Sequence, residues 1–273
     1  VDRRGALAGR VALTPRLTAV VQLRLVDSRI AGRPLRGAGE VSVRAETLRV
    51  PNMLLVAGDN RLSLQGTLAQ AQSTLAFKLD ALNLAQLGPA FGGAMTASGT
   101  VRGNLRKPAV SVDWKASDLR LPGALQVASL QGKADVRIDP QQAFSLDHAV
   151  VEADASGLKN ATQQLDRLTA RIDFSTRQQA PLAISLAGNG LRASGVVAEQ
   201  FALTVNGTTA QHVLTASVSE PSQRWRMDAS GGLTALGPDA RWQGRIDTLD
   251  GSGKYALKLL APAPLSVSRQ RLV

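Results

Sequence analysis

The chain has 273 residues, 44% hydrophobic but only 3% aromatic, and its 32 Lys and Arg outweigh 21 Asp and Glu for a net charge of +11. It contains no cysteine, which excludes disulfides, thiolate chemistry and cysteine-based metal sites together. No run approaches the ~20 apolar residues of a membrane-spanning helix, and no signal-peptide pattern opens the chain.

In chain order, apolar and polar residues alternate at period two, the pattern of strands with one apolar and one polar face. The alternation is already running by Leu7 behind a first residue, Val1, that is not methionine. The chain is therefore expected to be a piece of a longer protein, forming one continuous unit over residues 1–273. Val21, Leu23 and Leu25 share a face, as do Val41, Val43 and Ala45. Leu62, Leu64 and Leu68 follow, interrupted by Gly66, and then Leu75, Phe77 and Leu79. Leu82 to Ala90 is the best helical candidate, through Leu84 and Leu87. Strands resume with Val110, Val112 and Trp114, and with Lys133 to Asp139, where Ala134, Val136 and Ile138 oppose four charged residues. Gln163 to Leu168 is a second, weaker helical candidate, overlapping a strand of Leu168, Ala170, Ile172 and Phe174. The last strands are marked by Leu182, Ile184, Leu186; Phe201, Leu203, Val205; Trp225, Met227, Ala229; and Tyr255, Leu257, Leu259.

A loose repeat of roughly 25–35 residues underlies the pattern, a glycine pair followed by an alternating strand, as at Gly5–Gly9 and Gly93–Gly99. Gly66, Gly132 and Gly244 stand similarly, and glycine within a strand pattern marks a bulge, a bend or close backbone approach. Leu, Val and Ala carry the apolar face, with Phe77, Trp114, Phe174, Trp225 and Trp242 as isolated large residues. Such a face must cover something: either a second sheet of the same chain or a ligand.

Catalytic signals are weak. His148 and His212 are the only histidines and lack metal-ligand spacing, so neither a metal nor a cofactor is expected. Ser156 to Lys159 matches Ser-x-x-Lys without its partner motifs, and Gly251 to Lys254 lacks the flanking residues of a phosphate loop. Asn206–Gly207 reads as a hairpin turn. The sequence offers no catalytic residues. The positive charge favours anionic partners: nucleic acid, lipid head groups or an acidic protein. It is interleaved along strands, however, with one local cluster at Arg102, Arg106 and Lys107. No recognition motif accompanies it, so nucleic acid is not the expected partner.

Three stretches, in this order, carry a resemblance. They are Gly58 to Leu68; Leu79 to Leu87 leading into Gly93–Gly99 and Gly103–Pro108; and Trp242 to Leu249 closing with Leu260 to Leu265. Together they resemble the middle part of the TamB family, the translocation and assembly module proteins of the AsmA-like group, over most of residues 50–265. The resemblance implies an all-β fold: a long curved antiparallel or mixed sheet (a "β-taco") with few or no helices, enclosing a hydrophobic groove. It also implies an inner-membrane-anchored parent in the periplasm and an outer-membrane TamA-like (Omp85) partner, engaged through regions outside this chain. The implied role is phospholipid transport between inner and outer membrane, with acyl chains as the ligand. The alternative is a chaperone or scaffold for assembly of outer-membrane proteins such as autotransporters.

Physical chemistry agrees with the first role. A ~16-carbon chain in water costs on the order of 12 kcal/mol, at about 0.8 kcal/mol per CH₂. A continuous apolar trough removes that cost along its path, and about 20 strands at ~4.8 Å would give it a length of roughly 90–100 Å. The residues expected to line it are Leu62, Leu64, Phe77, Val112, Trp114, Val136, Ile138, Ile172, Phe174, Ile184, Leu203, Val205 and Leu257.

Overall fold

The structure, a computed structural model, describes residues 5–12, 18–138, 146–176, 179–193, 195–235, 240–268 and 271–272. Strand makes up 80% of it and helix 2%, so the fold class is all-β. The chain divides into two compact units, residues 1–141 and 142–273.

Unit 1 is a meander of β1 (Gly5–Ala12), β2 (Thr18–Ile30), β3 (Arg33–Arg44), β4 (Thr47–Ala57), β5 (Asn60–Leu68), β6 (Thr74–Ala81), β7 (Gly92–Asn104), β8 (Lys107–Leu121) and β9 (Leu125–Ile138). Each strand pairs antiparallel with the next. Unit 2 repeats the plan with β10 (Leu146–Lys159), β11 (Gln163–Phe174), β12 (Pro181–Ala193), β13 (Val196–Thr208), β14 (His212–Glu220), β15 (Gln223–Ala235) and β16 (Arg241–Gly253). The short β17 (Leu257–Lys258) and β18 (Ala263–Ser268) both lie on β16, and β19 (Arg271–Leu272) on β18. Every described pairing within a unit is antiparallel, and in neither unit do the described pairings close the sheet into a barrel.

The register carries the sequence alternation across the sheets. In unit 1 one cross-strand row reads Leu23–Gly39–Met53–Leu64–Phe77–Gly99–Val112–Ala134, and the next Leu25–Gly37–Leu55–Leu62–Leu79–Ala97–Trp114–Gly132. The row between them, on the other face, reads Arg24–Ala38–Leu54–Ser63–Lys78–Ser98–Asp113–Lys133. Unit 2 shows the same contrast. Val151–Ile172–Ile184–Val205–Leu214–Ala229–Ile246 lies on one face and Glu152–Arg171–Ser185–Thr204–Thr215–Asp228–Thr248 on the other.

Bulges and turns adjust this frame. β4 carries an extra residue against both neighbours, where Val50 opposes Gly66 but Met53 opposes Leu64. Pro51 occupies that bulge, the one kind of place inside a sheet that tolerates the loss of an N–H donor. The turn after β3 and the turn after β7 are four strand spacings apart, ~19 Å in a flat sheet. Arg106 Nη2 nevertheless lies 2.5 Å from Glu46 Oε1. The sheet of unit 1 therefore curls at this end, bringing the two turns together around the β5–β6 hairpin.

Several sequence expectations need correction. Gln163 to Leu168 is strand, the start of β11, because Leu165 and Leu168 pair across to Leu158 and Ala155 of β10. Ala45 sits in the turn after β3 with φ 51°, and Tyr255 lies outside any strand. Asn206–Gly207 is not the turn itself: β13 runs on to Thr208, and the chain reverses at residues 209–211. Leu82 to Ala90 does contain a short 3₁₀ turn, Leu84–Leu87. Asp139 falls outside the described residues.

Candidate functional site

The apolar face is built of half-buried side chains with no second layer of core over them. Among the described residues the buried apolar positions are mostly small or lie toward strand ends, such as Ala81, Ala198, Leu68 and Leu182. Thr209 is the largest side chain that is fully buried. A sandwich interior would instead bury its Leu, Phe and Trp outright. Leu62, Leu64, Phe77, Val112, Trp114 and Val136 are each partly exposed, as are Ile172, Phe174, Ile184 and Leu203. Val205 is buried, whereas Ile138 and Leu257 are exposed near strand ends.

All thirteen groove candidates lie on the apolar face of their own unit. Seven belong to unit 1, where Leu64, Phe77 and Val112 share one row and Leu62 and Trp114 the next. Six belong to unit 2, where Ile172, Ile184 and Val205 share a row and Leu203 stands in the adjacent one. Leu257 pairs with Gly251, which pairs with Trp225. The central rows hold no charged residue in either unit.

One arrangement escaped the reading of the strands. Large rings on this face are set opposite glycines: Phe77 opposite Gly99, Phe201 opposite Gly188, Trp225 opposite Gly251 and Trp114 opposite Gly132. A Cβ placed on Gly99 would come within 2.6 Å of Phe77 Cζ, and one on Gly188 within 2.5 Å of Phe201 Cζ. The rings of Phe77, Phe201 and Trp225 thus lie down over bare backbone instead of standing up from the sheet. The signal was present in the sequence as glycines within strand patterns, but their partners are fixed only by register.

Polar pins hold the margins of the face in unit 2. Trp242 Nε1 donates to His212 Nε2 at 2.8 Å, which leaves Nδ1 as the protonated nitrogen donating to Thr208 O at 2.9 Å. Gln223 binds Tyr255 through both ends of its amide, donating to Tyr255 O and accepting from its N–H. In unit 1 the buried Asn60 plays this part, donating to Ala57 O and Asn83 O and accepting from Asn83 N.

The opposite face is polar. Hydroxyl donors from Thr215 at 2.7 Å and Thr248 at 2.9 Å, with Arg226 nearby, hold the Asp228 carboxyl below the usual carboxylate range. Ser230 and Arg245 do the same for Asp247, the extra residue of the bulge in β16. Two concavities of unit 2 lie over this polar face, the larger of about 680 Å³ between β11 and β16. His148 contacts Asp173 at 2.8 Å, and no group of three or more His, Asp or Glu among the described residues could hold a metal ion. Ser156 and Lys159 sit on β10, and Gly251 to Gly253 end β16, with no helix following.

A family model, TamB N-terminal domain, matches residues 4–159, more than half of the chain. The chain belongs to the TamB family. The match takes in the first two of the three resembling stretches and stops short of the third, at residues 242–265. It is to the family's N-terminal domain, not to a middle part. No curated protein and no solved structure matches the chain. Among the described residues no helix is long and apolar enough to cross a membrane.

Proposed function

We propose that this TamB-family chain carries phospholipid acyl chains along its apolar face, in the periplasm and alongside a TamA-type outer-membrane partner. The observation that carries this reading is the run of charge-free rows, seven or eight strands wide, most of whose larger side chains stay half-buried with no protein layer over them. At about 25 cal/mol per Å², such a surface left to water is costly, and an aliphatic chain laid across it relieves both partners. Rings lying flat over glycine leave no ledge on which a sliding chain would stall. No catalytic group is needed, because lateral movement exchanges one aliphatic contact for another.

The test is a photo-reactive residue at Leu64 or Ile172 in the intact protein, with Lys78 and Ser185 on the polar face as controls. Lipid adducts at the first pair and none at the second are expected. Polypeptide adducts at Leu64 and Ile172, without lipid, would replace this reading with that of a scaffold for assembling outer-membrane proteins. Val136→Asp and Ile172→Asp each place a charge on the path and should block lipid capture while circular dichroism stays unchanged.

A further inference from the structure

The larger concavity of unit 2 lies on the face that the lipid reading does not use. Its edge is a single cross-strand row, Arg167–Asn189–Gln200–Ser219–Arg224, running from β11 to β15. Four strand spacings separate the two arginines, about 19 Å. Neither Arg167 nor Arg224 has an ion pair among the described residues. Across the trench Arg226 adds a third guanidinium, 3.7 Å from Asp228, and Asp250 is the one carboxylate in the lining. The remaining wall is small, with Ala187 and Ala202 at its middle, and rows on one face stand two residues apart, roughly 6.6 Å.

The geometry points to this trench as a binding site for an extended acidic peptide segment, distinct from the apolar face. Three chemical features select that ligand. The width admits one extended chain, and in a segment of seven residues the first and last side chains share a face six rises of ~3.3 Å apart, which matches the distance between the terminal arginines. Guanidinium forks at both ends match carboxylates bidentately. Between them the amides of Asn189 and Gln200, paired in register, each present a donor and an acceptor, the complement of a peptide backbone. A phosphate alone would reach one end only and leave the amides without partners.

The experiment uses the intact chain and a fluorescein-labelled, end-capped peptide Glu-Gly-Ser-Ser-Ser-Gly-Glu, with its Gln-for-Glu analogue as control, read by anisotropy at low and physiological salt. Arg167→Gln combined with Arg224→Gln should weaken binding of the acidic peptide at least tenfold. Arg102→Gln combined with Arg106→Gln, in the more basic unit 1, should leave it within twofold. Equal binding of the neutral peptide, or equal loss from the two double variants, would overturn the assignment, since either means that no defined site exists. Inorganic phosphate or phosphatidylglycerol vesicles displacing the peptide at equimolar anion would also overturn it, in favour of a general anion surface. These substitutions lie on the polar face, so lipid crosslinking at Ile172 should persist, and its loss would report on the apolar face instead.

Discussion

Unit 1 carries 19 Lys and Arg against 10 Asp and Glu, whereas unit 2 carries 13 against 11. Both present an apolar face of the same construction, but they secure its margins by different means. Unit 1 relies on Asn60, which ties the turn after β4 to the loop before β7, and on the exposed Glu46–Arg106 contact between distant turns. Unit 2 relies on neutral pins set among rings, His212 with Trp242 and Gln223 with Tyr255, and carries Asp228 between two threonines on its polar face. An open sheet cannot draw its rigidity from a packed interior, so it has to be drawn from the edges. The contrast shows that the edge devices can vary while the face stays the same.

The largest test of this contrast is Asn60→Ala. The substitution removes three hydrogen bonds and leaves Asn83 N–H and two carbonyls without their partner at a position only 4% exposed. At about 1 kcal/mol per bond, the expected loss is about 3 kcal/mol, confined to unit 1. Hydrogen exchange should accelerate through β4 to β7 and stay unchanged in β11 to β16. Acceleration throughout the chain would mean that the units do not hold their margins independently.

Acid separates the units in the opposite direction. The carboxyls of Asp228 and Asp247 titrate below their ordinary range in the folded chain, through Thr215 and Thr248 for the first and Ser230 and Arg245 for the second. A depressed folded value means that the unfolded chain takes up protons first. The contribution is therefore complete above about pH 4 and is lost as pH falls through the folded values. Unit 2 should open before unit 1 on acidification, read by the fluorescence of Trp225 and Trp242 against that of Trp114. Asp228→Asn should flatten this dependence. Simultaneous opening in the unaltered chain would count against that contribution.

The face was legible in the sequence because period two alone decides which side of a sheet a residue occupies, and Leu64 and Phe77 needed no knowledge of their neighbours. Partners across strands were not legible, because register depends on bulges. The extra residue at Pro51–Asn52 shifts β4 against both neighbours, and nothing in a local window reveals it. The same limit hid the opposition of Phe77 and Gly99, and it placed a turn at Asn206–Gly207. There Gly207, at φ 142°, in fact continues the strand to Thr208. Gln163 to Leu168 is too short for periodicity to separate strand from helix, and pairing with β10 decided it. The row from Arg167 to Arg224 is assembled from five strands and exists only in the folded sheet.

The smallest expected effect concerns the Glu46–Arg106 contact. Its side chains are 55% and 64% exposed, so a double-mutant cycle should return less than about 1 kcal/mol, and less again in high salt. Its consequence should be geometric, because it joins turns that a flat sheet would hold ~19 Å apart. The absence of cysteine allows spin labels to be placed at Ala45→Cys and Leu105→Cys without competing sites. The distance distribution between them should be short and narrow in the unaltered contact, and should broaden and lengthen in Arg106→Ala or in molar salt while the melting temperature barely moves. A distribution unmoved by Arg106→Ala would show that strand twist and the β4 bulge set the curl by themselves. A fall in stability as large as that of Asn60→Ala would show instead that an exposed ion pair can fasten an open sheet as firmly as a buried amide.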